Sequence, residues 1–85
     1  MKVNPLIVFR EDFEDSAVLF NPEDGKVLGL NRTGAFIWQC LEKGMSRDAC
    51  ISALREACGD TAPANIADDV DVFLDSLRER AFITD

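Results

Sequence analysis

The chain has 85 residues, with 16 acidic against 9 basic side chains, a formal net charge of −7 and an apolar content of 47%. That length supports one domain around one core and leaves no room for a deep active-site cleft, because so short a chain buries only about 60% of the surface it exposes when unfolded. The acidic balance argues against nucleic acid and anionic membrane surfaces, both of which need a basic face; it favours solubility and suits a neutral or basic partner.

Taken in order, the opening Met1-Lys2-Val3-Asn4-Pro5 has one basic residue but no long apolar stretch or cleavage-site pattern. No apolar run approaches the roughly 20 residues that span a bilayer, so the expected location is cytoplasmic. Leu6-Ile7-Val8-Phe9 is rich in β-branched and aromatic residues and predicts a strand over 6–10, with Pro5 tolerated at its start. The acidic stretch Glu11–Asp15, interrupted by Phe13, reads as a loop or a frayed strand end. Ala17-Val18-Leu19-Phe20 predicts a second strand over 17–21. In Asn21-Pro22-Glu23-Asp24-Gly25 the proline pre-sets a turn and Gly25 supplies a positive φ. A third strand follows over 26–30, making an antiparallel hairpin with the second.

Asn31 is placed to cap a helix over 32–43 that carries Phe36, Ile37, Trp38, Cys40 and Leu41 and stops at Gly44. Ser46 caps a second helix, 47–58, whose apolar stripe is Cys50 or Ile51, Leu54, Ala57 and Cys58; Gly59 ends it. Pro63 suits the first turn of a third helix, 63–81, with Ile66, Val70, Phe73, Leu74, Leu77 and Ala81 on one face. Its acids (Asp68, Asp69, Asp71) come early and its bases (Arg78, Arg80) late, as the helix dipole favours. Three strands followed by three helices is an α+β arrangement.

Catalytic chemistry is not predicted. The chain has no histidine and no tyrosine, so the usual general base is missing, and Ser16, Ser46, Ser52 and Ser76 lack triad partners. Cys40, Cys50 and Cys58 are odd in number and form no C-x-x-C, which argues for reduced thiols acting as small hydrophobes and against a disulfide framework or a zinc site. Asp68, Asp69, Asp71 and Asp75 read as a solvated helix face and not as a metal cluster. Gly25, Gly29 and Gly34 make no phosphate-binding loop. No cofactor is expected.

What stands out is geometric. If chain order follows space, Val27-Leu28-Gly29-Leu30 is the edge of a three-stranded sheet. Edge strands are usually blunted by charge, proline or a bulge; here Lys26 guards one end, and only Gly29 is a candidate bulge. Such an edge beside a helix is a template for strand addition by a peptide, unless another element or a second copy of the chain covers it. On the third helix Asp69, Val72, Phe73, Ser76 and Arg80 define a flanking face, with Val72 off the buried stripe.

At this junction the sequence resembles the PqqD-like family. The resemblance rests on Ala17-Val18-Leu19-Phe20-Asn21-Pro22, on Gly25-Lys26-Val27-Leu28-Gly29-Leu30-Asn31-Arg32-Thr33-Gly34-Ala35 with Ile37-Trp38, and on Val72-Phe73-Leu74-Asp75-Ser76-Leu77-Arg78-Glu79-Arg80-Ala81-Phe82-Ile83. The family's signature is a strand ending in Leu-Asn-x-Thr-Gly-Ala before an apolar helix; the departure is Ala81-Phe82, where a glycine is common. Asn4-Pro5-Leu6-Ile7-Val8 with Leu19-Phe20-Asn21-Pro22 further resembles the carrier of a SynChlorMet-type cassette. The resemblance implies a winged-helix-like fold over the whole of 1–85. It also implies a recognition element that binds the leader segment of a ribosomally synthesised precursor peptide and presents it to a modifying enzyme, often a radical-SAM protein. The leader would add to Val27, Leu28, Gly29 and Leu30, with its apolar anchors against Val72, Phe73, Ser76 and Leu77 and with Asp69 and Arg80 at the groove ends. Alternatives are a DNA-binding winged helix, disfavoured by the acidic hairpin tip and by the balance of charges on the second helix, and a subunit that only stabilises a partner enzyme. The exposed edge also invites a homodimer.

Overall fold

Alternation of apolar and polar positions sets the sheet. In the computed structural model, which describes residues 2–11, 16–61 and 64–84, strands β2 (Val8–Glu11), β3 (Ala17–Phe20) and β4 (Val27–Leu30) pair antiparallel in the order β2-β3-β4. The register places Phe9, Leu19 and Leu28 in one row and Glu11, Ala17 and Leu30 in the next. Ala17, Leu19 and Leu30 on this face are buried, and Phe9 and Leu28 pack against them half-buried. The opposite face carries Val8, Phe20 and Val27, all exposed.

The hairpin turn is held by Asn21, whose Oδ1 accepts from the Glu23 N–H at 2.9 Å. Its own N–H donates to the Lys26 carbonyl, and its carbonyl accepts from the Gly25 N–H. Gly25 takes a φ of +75°, the left-handed conformation the turn requires. The first strand begins at Val8 and not at residue 6, and runs to Glu11. Asn4 is the reason: its Oδ1 accepts from the Leu6 N–H at 3.0 Å and its carbonyl from the Ile7 N–H at 3.1 Å, which turns the chain through Pro5 and Leu6. The expected loop at 12–15 lies outside the described residues.

Helix α1 (Arg32–Glu42) starts where Asn31 Oδ1 accepts from the Gly34 N–H at 2.8 Å, and α2 (Arg47–Cys58) where Ser46 Oγ accepts from the Ala49 N–H at 3.2 Å. Each cap satisfies an orphan donor of the first turn. A 3₁₀ turn at Gly59–Thr61 leads towards α3 (Ile66–Glu79). The third helix is thus shorter than 63–81. Its N-cap is Asn65, which makes no side-chain cap bond, and Pro63 lies outside the described residues. Its C-terminus closes as a Schellman motif: the Ala81 N–H donates to the Arg78 carbonyl and the Phe82 N–H to the Leu77 carbonyl, with Ala81 at φ +58°. Ala81 therefore leaves the apolar stripe and is exposed, while Phe82 and Ile83 turn back into the core. Ala57, also expected on an apolar stripe, is exposed on α2.

Two short strands not expected from the sequence, β1 (Lys2–Val3) and β5 (Ile83–Thr84), pair antiparallel, Lys2 opposite Thr84 and Val3 opposite Ile83. Asn4 extends the seam, its N–H donating to the Phe82 carbonyl at 3.0 Å and its Nδ2 to the Ala81 carbonyl at 3.2 Å. The core lies between the inner sheet face and the helices, around Trp38, Phe82, Leu19, Ile66, Leu74 and Leu77, each with under 2% of its surface exposed. Cys40 and Cys50 are buried in it and Cys58 is half-buried, none in a disulfide. Burial, followed by the neighbouring Cys40, pushes the Cys50 thiol up to about 11, which keeps it protonated at neutral pH. No helix among the described residues is long and apolar enough to cross a membrane.

Candidate peptide-binding groove

The sheet has two edges, and they differ. β2 carries Arg10 and Glu11, charges that discourage strand pairing. β4 reads Val27-Leu28-Gly29-Leu30, with no charge and no proline. Its register against β3 advances one residue at a time through Gly29, so Gly29 is not a bulge. Among the described residues, the backbone of Val27–Leu30 makes no backbone–backbone hydrogen bond outside the sheet. Every second residue of an edge strand turns its N–H and C=O away from its partner. The open side of β4 is therefore a row of unused donors and acceptors. Val27, 57% exposed, and Gly29 lie on the outer face; Leu28 is half-buried and Leu30 buried on the inner one.

α3 meets β4 at Gly34. A Cβ built on Gly34 would stand 3.4 Å from Leu30 Cδ2 and 3.4 Å from Phe73 Cε1. A side chain larger than a methyl at Gly34 would therefore run into the end of β4 and the Phe73 ring, which flank the first turn of α1. Phe73 is half-buried and Val72 is 69% exposed. Beyond this junction a half-open cleft of about 290 Å³ is lined by Asn31, Thr33, Gly34 and Ile37 of the α1 end, Leu54 and Cys58 of α2, and Ile66, Asp69, Val70 and Phe73 of α3. Asp69 is exposed at this cleft and sits in the first turn of α3, where the helix dipole favours a carboxylate.

The expected residues are therefore brought together in part. Leu30 and Phe73 share the Gly34 junction, and Asp69 and Phe73 share the cleft. Ser76 and Arg80 are joined to each other, Arg80 Nη1 donating to Ser76 Oγ at 2.7 Å and to the Ser76 carbonyl at 3.0 Å. That bond holds the guanidinium along the last turn of the helix. Leu77 is the correction: it has no exposed surface, because it shares the inward stripe with Val70 and Leu74 and belongs to the core, not to a groove wall. Sequence reasoning missed the cleft walls contributed by Thr33, Ile37, Leu54 and Cys58. The one local signal for them is Gly34, a residue with no side chain in the first turn of a helix.

Among the described residues no group of three or more histidine, cysteine or acidic side chains is arranged to hold a metal ion. The cleft and the β4 edge offer shape, apolar surface and main-chain hydrogen bonds, which are the means of binding an extended peptide.

Comparison with known proteins gives a family and a fold. The family model described as coenzyme PQQ synthesis protein D (PqqD) matches residues 16–83. Among solved structures, TbiB1 in complex with the TbiA(beta) leader peptide is 25% identical, with a TM-score of 0.81, over 100% of both chains. Lasso peptide synthetase B1 complexed with the leader peptide is 24% identical, with a TM-score of 0.74, over 93% of this chain and 91% of that one; this second likeness is one of fold. No curated protein matches the chain.

Proposed function

The chain belongs to the PqqD family, and on that premise we propose that it is a non-catalytic carrier which binds the leader segment of a ribosomally synthesised precursor peptide. The observation that carries this reading is the unguarded β4 edge lying beside Phe73 of α3. A leader strand adds along Val27–Leu30 by main-chain hydrogen bonds, whose strength does not depend on its sequence. Alternate side chains then reach Val72 and Phe73, and those pockets supply the selectivity. Asp69 favours a basic leader residue at one end of the groove. At the other end the Arg80 guanidinium, tethered to Ser76, favours an acidic one. TbiB1, solved with a leader peptide and alike over its whole length, supports the same reading.

The carrier then presents the peptide to a modifying enzyme in the cytoplasm, where the ribosome releases the precursor. The family resemblance points to a radical-SAM enzyme, and a pull-down with and without precursor distinguishes a carrier from a subunit that only stabilises the enzyme.

The decisive experiment is titration of the isotope-labelled protein with the synthetic leader segment of a ribosomally made precursor peptide. The expected result is saturable chemical-shift change at Val27–Leu30 and at Val72 and Phe73. Saturating leader that moves none of the β4 amides would overturn strand addition.

A further inference from the structure

An antiparallel sheet with one solvated face normally alternates apolar inward and polar outward positions. The outer face of this sheet breaks that rule. Val8, Phe20 and Val27 stand in one row across β2, β3 and β4, by their pairing, and are 41%, 37% and 57% exposed. The next row is Arg10, Val18 and Gly29. Although the chain has 16 acids, neither row contains one. Arg10 is exposed, and among the described residues it has no ion-pair partner. Aromatic and aliphatic surface around a lone arginine is the composition of an interface centre and not of a solvated sheet.

Two features select the occupant. A second copy docking by this same face would offer Arg10 no carboxylate from either row and would bring together two chains of net charge −7, so self-association is disfavoured and a partner with an apolar patch and a carboxylate opposite Arg10 fits. The apolar row also ends at Val27, on the strand to which the leader adds. Cross-strand neighbours in a sheet share a face, so the leader residue beside Val27 extends the row. We propose that the outer face of the sheet, centred on Val8, Arg10 and Phe20, docks the enzyme that modifies the precursor, its footprint continuing from β2 onto the bound leader strand. This rests on the carrier reading and adds to it the surface by which carrier and peptide are read together.

The test uses the full chain and the precursor-modifying enzyme that it serves. Val8→Lys and Arg10→Glu lie on β2, on the far side of β3 from the leader edge, so both variants bind leader as the wild type does. Circular dichroism and thermal melting establish that they are folded, and Arg10→Glu, a change at an exposed polar position, secures the comparison if Val8→Lys is unstable. The expected result is that the affinity of the leader-loaded protein for the enzyme falls by about tenfold or more in each variant. Unchanged enzyme affinity in Arg10→Glu overturns the proposal, as does sedimentation showing a wild-type dimer that the variants convert to monomer. A wild-type chain that binds no leader, yet loses the enzyme on these substitutions, refutes the carrier reading and keeps the docking face.

Discussion

Leu30 and Phe73 close on the same empty position: Leu30 Cδ2 from the last residue of β4 and Phe73 Cε1 from the middle of α3 each lie 3.4 Å from where Gly34 would carry a Cβ. Strand, first helix and third helix are thus registered at one point. That point is the inner end of the proposed leader groove.

Its first consequence concerns Gly34. A distance of 3.4 Å is ordinary van der Waals contact, and alanine is favoured over glycine in a helix by up to about 1 kcal/mol. Gly34→Ala is expected to fold and to melt at the same temperature or slightly higher. Gly34→Leu drives a branched side chain between Leu30 and Phe73 and into the cleft, and is expected to weaken leader binding more than it lowers stability. Thermal melting and leader titration of both variants check this.

Phe73 and Val72 are expected to separate stability from binding. Removing the half-buried Phe73 ring in Phe73→Ala costs about 2 kcal/mol of stability, roughly half the value for a fully buried ring, and weakens leader binding by about thirtyfold as an aromatic anchor is lost. Val72→Glu, at a position 69% exposed, changes stability by less than about 0.5 kcal/mol and still weakens the leader. Urea denaturation paired with fluorescence anisotropy of a labelled leader reads both quantities.

Ala81 holds φ +58° at the α3 terminus, a conformation that costs a residue with a Cβ about 1–2 kcal/mol. Glycine avoids that cost but adds freedom to the unfolded chain. Ala81→Gly is expected to stabilise the protein by about 1 kcal/mol, seen as a melting temperature higher by about 4–8 °C. A decrease would show that the Schellman geometry at Arg78–Phe82 is not the folded one.

Arg47 of α2 grips Asp71 of α3 with two parallel bonds, Nε to Oδ1 at 2.5 Å and Nη2 to Oδ2 at 2.9 Å. The guanidinium holds the Asp71 carboxyl below its usual range. A carboxylate depressed in the folded state binds its proton more tightly when unfolded, so its contribution is present above the unfolded value of about 4 and is lost as the pH falls through the folded value. Asp71→Asn is therefore expected to be less stable than wild type at neutral pH, by a small amount because both side chains are partly exposed. The difference should shrink as the solution is acidified below pH 4. Urea midpoints of the two proteins across that range check the sign.

Much of this was legible because single side chains announced it. Asn31 and Ser46 each offer an oxygen to a helix start, and each caps the helix it was expected to cap. Gly44 and Gly59 end those helices with positive φ. The β4 edge followed from its apolar four-residue run after a turn. What stayed hidden depends on contacts between distant parts of the chain. The β1–β5 pairing joins strands of two residues each, too short to show a period. The start of β2 moved because Asn4 turns the backbone locally through its own side chain. Leu77 reads from the sequence as a groove residue because helical spacing says which residues share a side but not where the core ends and a groove begins. The cleft behind Phe73 draws on three helices at once, so no stretch of sequence contains it.

The pairing of Lys2 with Thr84 closes nearly the whole chain into one loop. The entropy lost in closing a loop grows with its length, and the return comes from burying Ile83 in the core with Val3 packed against it. Such a contact forms only after the hairpin and the helices have already brought the ends near each other, so it belongs to the last stage of folding. The same seam holds Asn4 on the carbonyls of Ala81 and Phe82, so when it opens, the αL turn that ends the third helix loses its outer support. Fraying there would reach α3 from the Arg80 end, where Arg80 is tied back to Ser76.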